Sequence, residues 1–142
     1  MENEKGIITK QYKFILIDDN DIVLYLHDLF LSEVFEKNNI NSFKNPETAL
    51  NYLLKNCSLN EEYIIILDIN MPTMSGWEFI NALRQNEIKT KVFIIMATAS
   101  IDSRDKEIAA LYEEVIDFCE KPIDNKFCVN LKSMPAIKHL FN

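Results

Sequence analysis

The sequence is poor in residues that interrupt regular structure. Its 142 residues include two glycines, four prolines and one tryptophan, which excludes collagen-like and low-complexity classes of protein. Nearly half of the residues are hydrophobic. A chain of this length and composition is expected to form one globular domain with a substantial core.

Positive charge and cysteine are also scarce. Fifteen lysines and arginines stand against twenty-two aspartates and glutamates, which gives a net charge of −7. A nucleic-acid-binding surface needs a basic face, so we expect no direct binding to DNA or RNA. The three cysteines form no C-x-x-C pair, which indicates reduced thiols in a cytoplasmic protein.

Long apolar runs are missing from the sequence. Runs such as VFIIMA at residues 92–97 are too short to cross a bilayer, and the polar start MENEKGIITKQYK lacks the apolar stretch of a signal peptide. We therefore expect a cytoplasmic protein without membrane association. An N-terminal tail over residues 1–12 is expected to precede one domain over residues 13–142.

Short apolar segments are present and predict strands. Phe14–Ile17, Tyr63–Leu67 and Val92–Met96 are apolar throughout, rich in β-branched residues, and show no polar alternation. This pattern is typical of strands buried on both faces of a parallel sheet. Ile40–Phe43 and Val115–Cys119 are weaker strand candidates.

Segments with helical periodicity follow these strands. From residue 22 to residue 35, apolar side chains occupy more than one helical face, which predicts a substantially buried first helix. The other four helices are predicted to begin at or near the N-cap residues Asn45, Ser75, Asp102 and Asp124. Pro135 is expected to end or kink the last helix.

The helical pattern also predicts which side chains point inward. In the second helix these are Leu50, Leu53 and Leu54, and in the fourth they are Ile108, Leu111 and Tyr112. Strands and helices alternate strictly along the chain. This order predicts a doubly wound α/β domain, in which helices cover both faces of a parallel sheet.

Polar side chains stand where the predicted strands end. The set comprises Asp18 and Asp19 after the first strand, Asp68 at the third, Thr98 at the fourth and Lys121 after the fifth. Ligands of doubly wound sheets bind at this edge. Clustered carboxylates raise one another's pKa unless a cation such as Mg²⁺ neutralises them, and a nearby lysine and threonine would favour a phosphoryl group.

Each of these residues also has an ordinary structural explanation. The acids at residues 19–21 can cap the first helix, where the helix dipole favours negative charge. Asp68, Thr98 and Lys121 are each unremarkable alone at the end of a strand. Their joint occurrence at the correct strand ends favours a common site.

Four segments, ILIDDND, IIILDINMPTMSGWEF, VFIIMATAS and DFCEKPID, resemble in their order the receiver domain of two-component response regulators. The resemblance covers residues from about 13 to about 141. It implies a flavodoxin-like, doubly wound sheet of five parallel strands in the order 2-1-3-4-5, with five helices.

The resemblance also implies roles for individual residues. Asp68 matches the phosphoacceptor, and Asp18, Asp19, Asp68 and the backbone carbonyl of Asn70 match the ligands of Mg²⁺, for which Mn²⁺ can substitute. Lys121 matches the lysine that pairs with Asp68 or with its phosphoryl group.

Three further positions match residues that act after phosphorylation. Thr98 matches the hydroxyl residue that contacts the phosphoryl group, and Phe118 matches the aromatic switch residue that moves with it. Ser100, together with Asn70, matches a position beside the water that removes the phosphoryl group.

The implied function is Mg²⁺-dependent acceptance of a phosphoryl group from a histidine kinase or histidine phosphotransfer protein. The chain would catalyse only its own phosphorylation and dephosphorylation, so it is expected to be a signalling domain and not an enzyme. The switched surface would comprise the fourth helix, fifth strand and fifth helix. The downstream protein target is unspecified, and dimerisation on phosphorylation stays open.

Three residues depart from the pattern of the family. Glu114 stands where many members have glycine, Phe118 lacks the hydroxyl of the tyrosine variants, and Pro135 shortens or bends the last helix.

The resemblance favours a stand-alone receiver over four alternatives. A receiver fragment of a larger regulator or hybrid kinase would look the same. An aspartyl-nucleophile phosphatase needs a second acid where Asn70 stands. A flavin binder needs a Ser/Thr/Gly-rich phosphate loop where this chain has acids. A scaffold that cannot be phosphorylated is disfavoured, because all five active positions are present.

Overall fold

The computed structural model describes residues 11–88 and 90–141. Within these ranges the strands are β1 (Gln11–Ile17), β2 (Ile40–Phe43), β3 (Glu61–Asp68), β4 (Lys91–Thr98) and β5 (Val115–Glu120). The α-helices are α1 (Asp21–Ser32), α2 (Pro46–Asn56), α3 (Gly76–Gln85), α4 (Ser103–Ala109) and α5 (Asn125–Leu131). Short 3₁₀ turns occupy Lys37–Asn39 and Lys138–Leu140.

The five strands form one parallel sheet in the order β2-β1-β3-β4-β5. This confirms the predicted fold and strand order. Because the strands are parallel, all their carboxyl ends lie at one edge of the sheet. The strand β1 begins at Gln11, so the tail expected over residues 1–12 overlaps it, and residues 1–10 of that tail lie outside the described residues.

Alternate residues of the three central strands enter two different cores, which explains the lack of polar alternation. The core beneath α1 and α5 takes Phe14, Leu16, Ile64, Ile66, Phe93 and Ile95. The core beneath α2 and α3 takes Ile15, Ile17, Ile65, Leu67, Ile94 and Met96.

The predicted N-caps of α2 to α5 are confirmed. Asn45, Asp102 and Asp124 each accept a hydrogen bond from a backbone N–H in the first turn of the helix that follows. Ser75 and Glu78 form the reciprocal capping box. In α1 the capping side chain is Asn20, whose Oδ1 accepts from the N–H groups of Ile22 and Val23, so the neighbouring Asp19 is free for another role.

The prediction of a substantially buried first helix is wrong for one face of α1. Ile22, Tyr25 and Leu29 are 70%, 66% and 44% exposed, and their spacing places them along one stripe. Hydrophobic periodicity indicates which faces are apolar, but it does not say what covers them.

Two residues predicted to point inward are exposed. Leu54 is 38% exposed because it lies beside the inward stripe of α2, and Leu111 is 73% exposed because α4 has already ended at Ala109. The last helix, α5, ends at Leu131, so Pro135 lies beyond the helix that it was expected to end or kink. Among the helices of the described residues, none is long and apolar enough to cross a membrane.

Candidate functional site

The site lies at the edge of the sheet where the strands end. Asp18 follows β1, Asp68 ends β3, and Lys121 follows β5. The Nζ of Lys121 lies 3.0 Å from Oδ2 of Asp18 and 3.2 Å from Oδ1 of Asp68. The predicted convergence of these three residues is therefore present in the fold.

Asp19 completes a group of three carboxylates. Oxygens of Asp18, Asp19 and Asp68 all lie within 4.8 Å of one another, with Asp19 exposed and the other two buried. Carboxylate oxygens at an exposed mouth are the donors that Mg²⁺ prefers, because it keeps several waters when bound. The donor set therefore fits a hard divalent cation.

The hydrogen bonding of Asp68 gives independent support for this fit. Its Oδ1 accepts from Lys121 and from the backbone N–H of Asn70, the latter at 3.2 Å. Its Oδ2 is buried and has no hydrogen-bond partner among the described residues. A buried unpaired carboxylate oxygen is costly, and a cation bound between the three acids would remove that cost.

The electrostatics of the pair follow from burial and proximity. Burial and the Asp18 carboxylate raise the pKa of Asp68 to about 6, although Lys121 and the Asn70 N–H oppose the rise. Burial acts to lower the pKa of Lys121, but hydrogen bonds and charges from Asp18 and Asp68 outweigh it and raise that pKa. Lys121 is therefore a fixed cation, and Asp68 is mostly ionised at neutral pH.

Gly76 fixes the loop between β3 and α3 behind Asp68. Its N–H donates to the carbonyl of Ile69 at 2.8 Å. A Cβ at this position would lie 2.9 Å from the backbone oxygen of Asp68 and 2.9 Å from Cε of Met96. The absence of a side chain therefore lets α3 begin directly against the backbone of Asp68.

Thr98 is buried at the end of β4, and its hydroxyl is engaged with the following loop. Its Oγ1 donates to the carbonyl of Ser100 at 3.2 Å and accepts from the Ser100 N–H at 3.4 Å. The predicted switch residue Phe118 is partly buried and packs against the core under α2 and α3. The expected contact of Thr98 with a phosphoryl group stays a prediction.

Two contacts, one beside the site and one at the opposite edge of the sheet, could not be foreseen from sequence patterns. Beside the site, the ring of His27 in α1 accepts a hydrogen bond from the backbone N–H of Ile123, in the loop that follows Lys121. Glu114, noted as a departure, makes a two-pronged ion pair with Arg84 of α3, with both N–O distances 2.7 Å. In each case the partners are far apart in sequence.

Comparison with known proteins agrees with this geometry. A family model described as the response regulator receiver domain matches residues 14–131. Stress response regulator protein 1 of Clavispora lusitaniae is 28% identical over 115 residues, which are 80% of this chain and 57% of that protein. The chain spans about half the length of the curated relatives it matches.

Solved structures show the same fold. A two-component response regulator from Cytophaga hutchinsonii has a TM-score of 0.71 at 28% identity, covering 94% of this chain and 99% of that one. A response regulator receiver domain protein from Methanospirillum hungatei has a TM-score of 0.68 at 27% identity, covering 89% and 97%.

Proposed function

Because this chain belongs to the response regulator receiver domain family, a family of signalling domains, we propose that Asp68 is its phosphoacceptor. The donor would be the phosphohistidine of a histidine kinase or of a histidine phosphotransfer protein. The reaction would depend on Mg²⁺, with Mn²⁺ as a substitute, and would take place in the cytoplasm within a domain that includes the whole of β1, from Gln11, and extends to residue 142.

The observation that carries the proposal is the arrangement around Asp68. This buried carboxylate has one oxygen held by Lys121 and a backbone N–H, while its other oxygen has no hydrogen-bond partner among the described residues. Two more carboxylates lie within 4.8 Å. Three neighbouring carboxylates of which two are buried have a high desolvation and repulsion energy, and a bound cation with its anionic ligand would lower it.

The transfer itself requires little covalent chemistry from the protein. A carboxylate oxygen of Asp68 forms a bond to phosphorus while the phosphorus–nitrogen bond of the donor breaks, and the leaving imidazole keeps the electron pair. Lys121 would stabilise the charge that develops on the phosphoryl oxygens. Water would later attack the phosphorus of the acyl phosphate, which breaks its bond to the Asp68 oxygen, releases inorganic phosphate and restores the carboxylate, with Asn70 and Ser100 beside the path of the water.

The cation would be held by Asp18, Asp19, Asp68 and the backbone carbonyl of Asn70. It would supply positive charge that neutralises these acids and offsets the charge of the phosphoryl group.

We propose that phosphorylation switches the surface formed by α4, β5 and α5. Thr98 would exchange its contacts with Ser100 for a phosphoryl oxygen, which changes the loop between β4 and α4 and gives Phe118 room to turn inward. The altered face would bind a downstream protein or a second phosphorylated copy. Size-exclusion chromatography with and without beryllium fluoride distinguishes these two outcomes.

The exposed stripe of α1 is the surface that we propose for the phosphodonor. Ile22, Tyr25 and Leu29 are exposed apolar residues, and α1 begins two positions after Asp19. A protein that brings a phosphohistidine to Asp68 must cover the neighbouring surface, and exposed aromatic and aliphatic residues are typical anchors for such contacts.

Incubation with Mg²⁺ and acetyl phosphate tests the proposal. We expect intact-protein mass spectrometry to show the gain of one phosphoryl group by the wild type, and no gain by Asp68→Asn or in EDTA. Beryllium fluoride should bind the wild type alone, in the presence of Mg²⁺. A wild type that gains nothing, or an Asp68→Asn variant that gains as much, would contradict the proposal.

A further inference from the structure

His27 occupies an unusual position for a histidine. It lies in the middle of α1, is 2% exposed, and faces the loop between β5 and α5. Its Nε2 accepts a hydrogen bond from the backbone N–H of Ile123 at 3.1 Å. Because Nε2 is the acceptor, the ring is neutral and carries its proton on Nδ1.

The neutral form suits the surroundings of the ring. Burial lowers the pKa of His27 to about 4, with the nearby Asp18 carboxylate opposing the change and Lys121 adding to it. The ring therefore stays an acceptor at neutral pH. The N–H of Ile123 is also buried, and without His27 it would lose the partner that offsets its desolvation.

The loop that His27 holds is the loop that carries Lys121. At its beginning the backbone N–H of Lys121 donates to the carbonyl of Thr98 at 2.8 Å. Two residues later the N–H of Ile123 donates to His27. The main chain is thus fixed on both sides of Pro122, and the Lys121 side chain leaves this fixed segment to reach Asp18 and Asp68.

We infer that His27 is a positioning residue for phosphoryl transfer, which acts through Ile123 to hold the loop that directs Lys121 toward Asp68. The inference rests on the proposed function of Asp68. This role is distinct from that of Asp18 and Asp19, which precede α1. In the described hydrogen bonds His27 does not contact Asp18, Asp19 or Asp68, so its effect on the reaction would be transmitted through the loop.

Two substitutions at His27 distinguish the effect of losing the hydrogen-bond acceptor from the effect of changing the side-chain volume. His27→Leu keeps an apolar body but removes the acceptor, whereas the carboxamide oxygen of His27→Gln can take the place of Nε2. We expect His27→Leu to lower the rate constant for phosphorylation by acetyl phosphate about 5- to 10-fold. His27→Gln should recover most of the wild-type rate.

A double-mutant cycle tests whether His27 acts through Lys121. In a Lys121→Met background, adding His27→Leu should produce no further loss of rate, because the directed side chain is already gone. The same fold loss in both backgrounds would show that His27→Leu acts by general destabilisation, and it would overturn the inference. So would a folded His27→Leu variant that reacts at the wild-type rate.

A measurement on the wild type covers the case in which His27→Leu fails to fold. Nitrogen-15 NMR at neutral pH should show His27 as the tautomer protonated at Nδ1 and coupled to the Ile123 amide. The tautomer protonated at Nε2, or an imidazolium, would overturn the inference.

The two proposals fail in different ways. If the wild type gains no phosphoryl group, the proposed function fails and the positioning role fails with it. If the wild type is phosphorylated on Asp68 and the cycle shows no coupling between His27 and Lys121, only the positioning role fails.

Discussion

The ammonium of Lys121 lies 3.2 Å from Oδ1 of Asp68, and the two side chains are 16% and 2% exposed. The same ammonium lies 3.0 Å from Asp18. One partly exposed cation therefore balances two buried carboxylates, so the metal-free site keeps an excess of negative charge. Burial first, and then the Asp18 carboxylate, raise the pKa of Asp68, and the excess of negative charge accounts for the fit of the site to a divalent cation.

Removal of this cation should destabilise the metal-free protein. Lys121→Met leaves two buried carboxylates without their counter-ion, and we expect the free energy of unfolding to fall by about 2 to 4 kcal/mol. Added Mg²⁺ should restore more stability to the variant than it adds to the wild type. Urea denaturation with and without Mg²⁺ measures both effects. The exposed Lys126 provides a control, because Lys126→Met should change little; equal losses at both positions would contradict the account.

Neutralisation of Asp68 should stabilise the metal-free protein at neutral pH. The pKa of Asp68 is about 6 in the folded state against 3.8 for the free side chain. Between these values the folded state holds a proton that the unfolded state has released, so stability falls as the pH rises through this window. Asp68→Asn removes this pH dependence. Above this pH window the free energy of unfolding of the variant should exceed that of the wild type by about 1 to 3 kcal/mol.

Urea denaturation in EDTA, from about pH 4 to about pH 8, measures the difference in the free energy of unfolding between the wild type and Asp68→Asn. The stability curves of the wild type and Asp68→Asn should converge toward the acid end. A wild type that gains stability relative to Asp68→Asn as the pH rises would contradict the raised pKa.

Gly76→Ala should be destabilising, although alanine normally favours a helix over glycine by about 1 kcal/mol. The added Cβ would lie 2.9 Å from the backbone oxygen of Asp68. We expect a loss of about 1 to 3 kcal/mol and weaker binding of Mg²⁺, measured by the fluorescence of Trp77, the one tryptophan of the chain. Gln85→Ala, at an exposed position of α3, is the control. A Gly76→Ala variant that is more stable than the wild type would contradict the proposed clash between the added Cβ and the backbone oxygen of Asp68.

The exposed stripe of α1 should affect the rate of phosphoryl transfer from a protein donor but not the rate from a small-molecule donor such as acetyl phosphate. Tyr25→Ser is expected to slow phosphoryl transfer from a phosphorylated histidine phosphotransfer domain about tenfold or more, with an unchanged rate from acetyl phosphate. Leu111→Ser, at an equally exposed apolar residue outside the stripe, should leave both rates unchanged. Equal rates for Tyr25→Ser and wild type with every protein donor that phosphorylates the wild type would exclude this surface.

The sheet was predictable because its strands are continuously apolar. Phe14–Ile17 and Tyr63–Leu67 have cores on both faces, and this environment leaves a pattern that no surface strand shares. The convergence of Asp18, Asp68 and Lys121 followed from the rule that parallel strands end at one edge. The family motifs then supplied the role of each residue.

What the sequence could not predict depends on tertiary contacts and on partners. The apolar stripe of α1 has the same composition as a buried face, so its exposure was missed. His27 and Ile123 are 96 positions apart, and Arg84 and Glu114 are 30 apart. Hydrogen bonds of this kind are set by how helices pack on the sheet, and they leave no local signal.

Mapping the modified residue tests the central claim most directly. The protein is incubated with Mg²⁺ and acetyl phosphate and then treated with borohydride, which reduces an aspartyl phosphate to homoserine. We predict that peptide mass spectrometry will find homoserine at Asp68, and none there after incubation in EDTA. Modification that maps to Asp18, Asp19 or a histidine, with Asp68 unchanged, would contradict the account.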